Sequence, residues 1–322
     1  MAPILRRFTW FLICFQLLFW TFIPLFSHHA PPLDATEMYG WSLSFEWGFY
    51  KHPPMPTWIV AFIQAIVGKN MLSLFLSGSL AICFTYYAVA WMANQFLEEK
   101  EAIVALFLYA LVIYCHLWST DFNHNQIQMP FWVWSLLFLY LTLQSKSYLN
   151  AFLLGIFMGL NALSKYTAAL IVPCALLLIF FCPYWRKQFQ WQQLLLASIG
   201  FFIIFAPHLW WLVHHDFMPL HYVSERIDEL DKESNTFLLL LDYIGNTLLA
   251  HLFLWIVTGW CLLKKDKMVS SHLTPTCHDE LLAKQQFLLF IGLGPFIISC
   301  LLGFWVPLYH RWVTPMLPLI TI

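Results

Sequence analysis

Two acidic residues near the start of the chain have the spacing of a functional site. Asp34 and Glu37 precede a polar and aromatic stretch that contains Lys51 and His52. A carboxylate can act as the general base that takes a proton from an attacking hydroxyl group. Basic side chains such as Lys51 and His52 can stabilise the negative charge that develops on a leaving phosphate. The segment therefore holds both halves of a group-transfer site.

Other polar residues that could bind a substrate lie further along the chain. These candidates are Asp121, Asn123, Asn125, Lys165, Arg226 and Arg311. Lys165 interrupts an apolar stretch, where a charge is costly without a partner, so we expect a functional or paired role for it. Asp121 to Gln126 form a polar cluster, including His124, that could bind sugar hydroxyls or solvate a loop.

Each of these signals also has a simpler structural interpretation. The D-x-x-E spacing is that of a helix capping box, in which Asp34 accepts a hydrogen bond from the Glu37 amide and Glu37 reaches back. Lys51 has the character of a membrane-surface anchor whose stem lies on apolar groups. His214 and His215 are adjacent and point in different directions, which favours surface positions over a metal site.

Composition places the chain in the membrane. Of its 322 residues, 61% are apolar and 10% are charged, against about 45–50% and about 25% in an ordinary soluble domain. A net charge of -1 gives no basic face for nucleic acid. The eight cysteines form no C-x-x-C pair, so they indicate neither a disulfide framework nor a zinc site. Neither a glycine-rich phosphate loop nor a G-x-G-x-x-G motif is present.

Apolar runs predict the elements that must position the candidate residues. Nine of these apolar runs are expected to be helices, and a tenth run begins near the end of the sequence. They lie near 8–26, 72–92, 101–118, 129–144, 148–163, 167–182, 192–213, 237–263 and 285–306, with 312–322 beginning the tenth. The first run has no small-residue cleavage site and is predicted to be retained. We therefore expect one all-α polytopic domain over residues 1–322.

The distribution of basic residues predicts the orientation of this domain. With the amino terminus in the cytoplasm, most Lys and Arg residues fall on the inner side and most acidic residues on the outer side. Two long segments, 27–71 and 214–236, then face away from the cytoplasm. Residues 39–49 alternate apolar and polar side chains as a strand does. An unpaired strand would leave backbone groups unsatisfied, so we expect an interfacial helix there.

The order of the motifs resembles the GT-C superfamily of glycosyltransferases that use lipid-linked sugars. Within it, the chain looks most like the bacterial dolichyl-phosphate-mannose protein mannosyltransferase type, which includes lipid A galacturonosyl and aminoarabinose transferases. The resemblance is carried by the acidic pair, the W-G-F-Y-K-H-P-P-M stretch of 47–55, and the motifs at 122–125, 163–166, 207–217 and 311–316. Many relatives read D-E-A-E where this chain has Ala35 in place of the first glutamate.

The resemblance implies an inverting, single-displacement transferase with a GT-C helical bundle. A sugar would move from a polyprenyl-phosphate carrier to a lipid, glycan or protein acceptor at the non-cytoplasmic face of the bacterial inner membrane. Asp34 resembles the family's base, and Glu37 would orient it, assist it or hold a metal. The other candidates would bind the donor phosphate or the substrate. The resemblance leaves open whether a divalent cation takes part.

Two alternatives to an active transferase follow from the same sequence. A polytopic transporter or flippase would fit the composition, but transporters place their polar residues near the middle of the membrane on broken helices. Here the acidic pair and most motifs lie in outer loops, which favours the enzyme. The last apolar run is about ten residues long, whereas a span needs about twenty. We therefore expect a part of a longer protein, which makes an inactive fragment the second alternative.

Overall fold

The computed structural model describes residues 1–233, 235–263, 275–308 and 316–322. Within these ranges the secondary structure is helical and contains no strand. The expected all-α architecture is therefore confirmed for the part of the chain that is described.

The helices that build the site come first in the chain. They are α1 (Pro3–Ser27), α2 (Leu33–Trp41), α3 (Met55–Val67), α4 (Met71–Phe96), α5 (Glu99–Ala110), α6 (His124–Ser145), α7 (Tyr148–Ser164), α8 (Ile171–Phe181), α9 (Pro183–Gln188) and α10 (Trp191–His214). The remaining helices are α11 (Met218–Glu233), α12 (Thr236–Ala250), α13 (Leu252–Leu263), α14 (Pro275–Phe287) and α15 (Gly294–Leu302).

Five helical segments of the described chain are long and apolar enough to cross a membrane. They are Pro3–Ser27, Met71–Phe96, His124–Ser145, Trp191–His214 and Asp279–Leu302. The last is continuous because a π-helical turn, Leu288–Leu293, joins α14 to α15. Other predicted spans correspond to shorter apolar helices at Tyr148–Ser164, Tyr166–Phe181 and Thr236–Ala250.

The third predicted span is bent rather than straight. Helix α5 ends at Ala110, and the chain continues at 76° through 3₁₀ turns to Thr120. Local side-chain bonds take up backbone carbonyls at the bend: the Ser119 hydroxyl donates to His116, and the Thr120 hydroxyl donates to Leu117. Such bonds compete with the regular helical ladder. The pair counts as a sixth span if it crosses the membrane as one.

The predicted span at 237–263 is also two helices. Helix α12 ends at Ala250, and α13 begins at Leu252 after a break at His251. The His251 ring is hydrogen-bonded to the Thr247 carbonyl over 2.8 Å. The His251 backbone amide, which would bond this carbonyl in a continuous helix, donates to the Leu248 carbonyl instead. The first four residues of the predicted tenth run, 312–315, lie outside the described residues, and the rest of the run contains a 3₁₀ turn, Pro318–Thr321.

Residues 27–71, which the charge distribution predicts to form the first outer segment, contain helices, but these are not where the aromatic pattern predicts them. Helix α2 ends at Trp41, and residues 42–54 have no regular structure, so the prediction of an interfacial helix over 39–49 is wrong beyond Trp41. The Ser42 hydroxyl donates to the Tyr39 carbonyl over 2.7 Å and competes with continuation of the helix. Helix α3 follows directly after Pro53 and Pro54.

The core lies between the most buried helices, α4 and α6. Helix α1 packs against α4, and α7 packs against both α6 and α10. The α7–α10 crossing is close because Gly155 and Gly200 face each other's backbone there. A Cβ added to Gly155 would lie 2.0 Å from the Ala197 carbonyl oxygen. Small residues at such crossings are typical of membrane helix packing.

Candidate active site

Helix α2 carries the acidic pair and is held from across the chain. The Ala35 amide in its first turn donates to the Asp121 carboxylate over 3.0 Å. Asp121 lies in the loop before α6 and so supplies a cap that Pro32, the residue before the helix, lacks. An acidic group near a helix amino terminus is favourable because of the unpaired amides and the helix dipole. Asp121 therefore positions α2.

Asp34 accepts a hydrogen bond from a side chain of the same loop. The Asn123 side-chain amide donates to the Asp34 carboxylate over 3.0 Å. The Asn123 side-chain oxygen also accepts hydrogen bonds from the backbone amides of Asn125 and Gln126, and in this way it caps α6. The capping-box interpretation of Asp34 is wrong, because the helix begins at Leu33 and Asp34 bonds to Asn123 rather than to the Glu37 amide.

Glu37 is paired with Lys51. Their carboxylate oxygen and ammonium nitrogen lie 2.6 Å apart, with about a quarter of each side chain exposed. Burial by itself would lower the pKa of Lys51, but hydrogen bonds to Glu37 and Tyr50 and the charge of Glu37 raise the pKa above its ordinary value. Lys51 is therefore a fixed cation in the site, and its ammonium group also lies 5.3 Å and 5.6 Å from the ring centres of Tyr50 and Tyr222.

Lys165 reaches the same region from the break after α7. Its ammonium group donates to the Asn125 side-chain oxygen over 2.6 Å. Burial lowers the pKa of Lys165 to about 7, and the negative charge of Asp34 acts in the opposite direction. Asp34 and Lys165 therefore act on each other across the site.

A buried amide holds the backbone on which Lys165 sits. Gln128, in the first turns of α6, donates from its side chain to the Asn161 side-chain oxygen over 3.2 Å and to the Lys165 carbonyl over 3.4 Å. It also hydrogen-bonds the Thr167 hydroxyl over 3.1 Å. Gln128 and Asn161 are fully buried. These bonds tie the end of α7 and the following 3₁₀ turn to α6.

Two histidines stack beside the lysines. The rings of His52 and His124 lie 3.8 Å apart, and the Tyr222 ring from α11 packs edge-on against His52. Burial lowers the pKa of His52 to about 3, and the charges of Lys165 and Lys51 add to this effect. His52 is therefore neutral near pH 7. Within the described residues, the buried His124 Nε2 atom has no hydrogen-bond partner.

The irregular loop over 42–54 is fixed to α10. The His208 ring is hydrogen-bonded both to the Trp47 carbonyl and, over 2.9 Å, to the Tyr166 hydroxyl. Gly48 lies against Trp211, and a Cβ there would meet the Trp211 ring at 2.4 Å. These contacts join the loop over 42–54 to α10 and to the 3₁₀ turn after Lys165.

The structure brings together most of the residues that the sequence singles out. Eight of them lie in one connected region at one end of the bundle: Asp34, Glu37, Lys51, His52, Asp121, Asn123, Asn125 and Lys165. Arg226 forms an ion pair with Glu229 on α11 at 2.8 Å, and both side chains are exposed. Arg311 lies outside the described residues.

Two residues of this region give no clear signal in the sequence. Tyr222 lies in a charged stretch that reads as a solvated helix, and Gln128 lies inside an apolar run. His208 and Tyr166 do have a signal, since both belong to motifs that carry the family resemblance. Among the described side chains, no group of three or more His, Cys, Asp or Glu residues could hold a metal ion.

Comparison with known proteins identifies the family. A family model described as dolichyl-phosphate-mannose-protein mannosyltransferase matches residues 51–211. The chain belongs to this family. The matched segment contains Lys51, His52 and Lys165 together with the polar cluster before α6, whereas Asp34 and Glu37 precede it.

Curated relatives come from lipopolysaccharide modification. The chain is 24% identical over 194 residues to the lipid A galacturonosyltransferase RgtD of Rhizobium johnstonii, covering 60% of this chain and 41% of that protein. It is 26% identical over 191 residues to the lipopolysaccharide core galacturonosyltransferase RgtA of the same organism, covering 57% and 37%. The chain thus spans less than half the length of these relatives.

A solved structure shares the fold. The crystal structure of ArnT from Cupriavidus metallidurans bound to undecaprenyl phosphate superposes with a TM-score of 0.66 and 14% identity. The match covers 96% of this chain and 58% of that chain. The helical bundle is therefore of the GT-C type that the motif order predicts.

Proposed function

We propose that the protein is a glycosyltransferase that moves a sugar from a polyprenyl-phosphate carrier to an acceptor hydroxyl group. The observation that carries this proposal is that the Asp34 carboxylate and the Lys165 ammonium group, from distant segments, bond to Asn123 and Asn125 respectively at one end of a GT-C bundle. Family membership supports the same reaction class. The names of the relatives make lipid A and the lipopolysaccharide core the first acceptors to test.

The proposed reaction is a single displacement at the anomeric carbon. Asp34 takes the proton of the acceptor hydroxyl as its oxygen forms a bond to the anomeric carbon. The bond from that carbon to the phosphate oxygen breaks, and the polyprenyl phosphate leaves with the electron pair. In this proposal the charges of Lys165 and Lys51 stabilise the departing phosphate. Attack from the face opposite the leaving group inverts the configuration of the sugar.

The neighbouring groups suit these roles. Asn123 holds one oxygen of Asp34 by a hydrogen bond, which fixes the orientation of the carboxylate. Glu37 balances the charge of Lys51, so the site does not gather two unpaired cations when it is empty. The His52 ring packs against His124 and is neutral because burial lowers its pKa to about 3. An uncharged polar ring of this kind suits contacts with sugar hydroxyls.

The site is proposed to face away from the cytoplasm. Single cysteines at Ser44 in the first outer segment and at Ser145 at the other end of α6, in a background without native thiols, test this orientation; both side chains are exposed. We expect a membrane-impermeant maleimide to label Ser44→Cys and not Ser145→Cys in intact cells. The reverse pattern would place the site in the cytoplasm.

The reaction is tested by sugar transfer in membranes that contain the protein. With radiolabelled undecaprenyl-phosphate-linked galacturonic acid or aminoarabinose as donor and lipid A as acceptor, Asp34→Asn should lower the rate about 10²–10⁴-fold. Glu37→Gln is the matched control on the same helix, and its transfer rate should fall less than that of Asp34→Asn. An Asp34→Asn protein that transfers at the wild-type rate contradicts the assignment, and wild-type membranes without transfer contradict the proposed function.

A further inference from the structure

An apolar cavity lies in the half of the bundle away from the candidate active site. Its volume is about 450 Å³, and it is lined by side chains of α6, α7, α8 and α10. On α6 the lining residues are Leu139, Thr142 and Leu143, which are about 21–27 Å along the helix from Asn125. The cavity is therefore separate from the site that holds Asp34 and Lys165.

The cavity has the length of a hydrocarbon chain in one leaflet. It follows α10 from Gln193 to Phe202, which is about 14 Å along the helix axis. The hydrocarbon core of a bilayer is about 30 Å thick, so this distance is close to one leaflet. The lining is almost wholly apolar along this length, as an alkyl chain requires.

One end of the cavity is polar and incompletely bonded. Thr142 and Gln193 line it and are 4% and 3% exposed, and the Gln193 side-chain nitrogen donates to the Thr142 carbonyl over 3.1 Å. Within the described chain, the Thr142 hydroxyl and the Gln193 side-chain oxygen have no hydrogen-bond partner. Buried polar groups are usually paired, so the Thr142 hydroxyl is suited to donate to an ester oxygen of a ligand, and the Gln193 oxygen to accept from a hydroxyl group.

Basic residues adjoin this polar end in sequence. Lys146 follows the last residue of α6, and Arg186 and Lys187 in α9 come shortly before the cavity residues Phe189 and Gln190. All three basic side chains are exposed. No acidic residue lies between Asp121 and Asp216 in the sequence. Basic residues at a membrane surface attract anionic lipid headgroups.

We propose that this cavity binds an anionic glycerophospholipid of the leaflet opposite the candidate active site. One acyl chain fills the cavity between α7, α8 and α10. An ester oxygen accepts a hydrogen bond from the Thr142 hydroxyl, about one helical turn from the end of α6. The phosphate lies by Lys146, Arg186 and Lys187. This site is independent of the proposed sugar transfer.

The proposal is tested by photo-crosslinking in vesicles that contain the protein and phosphatidylglycerol with a diazirine in one acyl chain. We expect labelled peptides from α8 and α10. Ser198→Phe, which places a ring in the cavity, should reduce labelling about tenfold, whereas Ile199→Phe, on the neighbouring exposed position, should not. Arg186→Gln with Lys187→Gln should also reduce it about tenfold. Arg6→Gln with Arg7→Gln is the control, since both arginines are exposed in the first turns of α1.

Three outcomes would overturn the proposal. The first is equal labelling by a phosphatidylcholine probe of the same chain length, because the basic residues would then have no role. The second is labelling that Ser198→Phe leaves unchanged. The third is displacement of the probe by unlabelled undecaprenyl phosphate and not by phosphatidylglycerol, which would assign the cavity to a polyprenyl chain. None of these measurements depends on sugar transfer, so failure of the proposed function leaves the test intact.

Discussion

The side-chain amide of Asn123 donates a hydrogen bond to the Asp34 carboxylate over 3.0 Å while its oxygen caps α6. One side chain therefore fixes both the proposed base and the start of a membrane helix. Because the nitrogen of this side chain bonds Asp34 and the oxygen caps α6, substitutions at Asn123 can separate the two roles.

Asn123→Asp should retain the helix cap and lose the support of Asp34. Aspartate and asparagine are near-equal caps, so the protein is expected to fold and to reach the membrane in normal amounts. The new carboxylate would repel Asp34 instead of donating to it, and transfer should fall at least about tenfold. Protein level by immunoblot and transfer rate in the same membranes check this. Normal transfer by Asn123→Asp would show that the Asn123–Asp34 bond has no part in the reaction.

Transfer should decline as the pH rises through neutrality. Burial lowers the pKa of Lys165 to about 7, so its ammonium group is charged below this pH and increasingly neutral above it. A step that needs this charge therefore slows on the alkaline side. Lys165→Met should be inactive throughout. Lys165→Arg should have a lower rate and no alkaline decline near pH 7, because arginine stays charged.

The measurement is the single-turnover transfer rate between about pH 6 and 9. The charged and titratable groups that interact with Lys165 are Asp34, His52 and His124, and His52 is neutral over this range because burial lowers its pKa to about 3. Lys51 keeps its charge through the pair with Glu37. If the transfer rate of Lys165→Arg still declines on the alkaline side near pH 7, the decline belongs to another titrating group.

Gln128 should affect the transfer rate because it holds the backbone that carries Lys165. Gln128→Met keeps the volume and removes the bonds to Asn161, Thr167 and the Lys165 carbonyl. We expect the alkaline decline of transfer to shift in pH, because Lys165 would no longer be held in the same surroundings. Loss of the buried bonds should also cost about 1–3 kcal/mol of stability. Gln95→Met on α4 is the control, since Gln95 bonds only its own helix. An unshifted pH profile would limit Gln128 to a structural role.

Two glycines of the segment 27–71 should respond differently to alanine. A methyl group at Gly48 would meet the Trp211 ring at 2.4 Å, whereas Gly40 has nothing within 4 Å. Gly48→Ala is therefore expected to destabilise by about 1–3 kcal/mol through overpacking. Gly40→Ala, in α2, should be neutral or slightly stabilising because alanine favours a helix. Thermal unfolding of the detergent-purified variants checks both, and equal midpoints would contradict the close approach of Gly48 to Trp211.

Sequence alone predicts the helical bundle and most of the candidate site, because charges and amides in apolar surroundings are few. Lys165 stands out for this reason, and the structure places it beside Asn125, another predicted candidate. The bend after α5 could not be predicted, since it depends on hydroxyl and imidazole bonds to nearby carbonyls rather than on hydropathy. Gln128 was missed because a polar residue inside an apolar helix does not reveal which neighbour it bonds.

The loop over 42–54 shows a different limit. Its alternating aromatic residues predict regular structure, but its conformation is set by a histidine in α10, which bonds the Trp47 carbonyl. That contact joins positions 161 residues apart in the chain, so no local pattern contains it.

The cap that Asp121 places on α2 has a consequence for biosynthesis. The partners Ala35 and Asp121 are 86 residues apart, and Asp34 and Asn123 are 89 apart. The acidic helix emerges from the ribosome well before the loop that holds it. Until that loop is made, nothing described in the structure aligns the Asp34 carboxylate. The orientation of the proposed base is thus completed late, only after α4 and the bent segment that follows it have been translated.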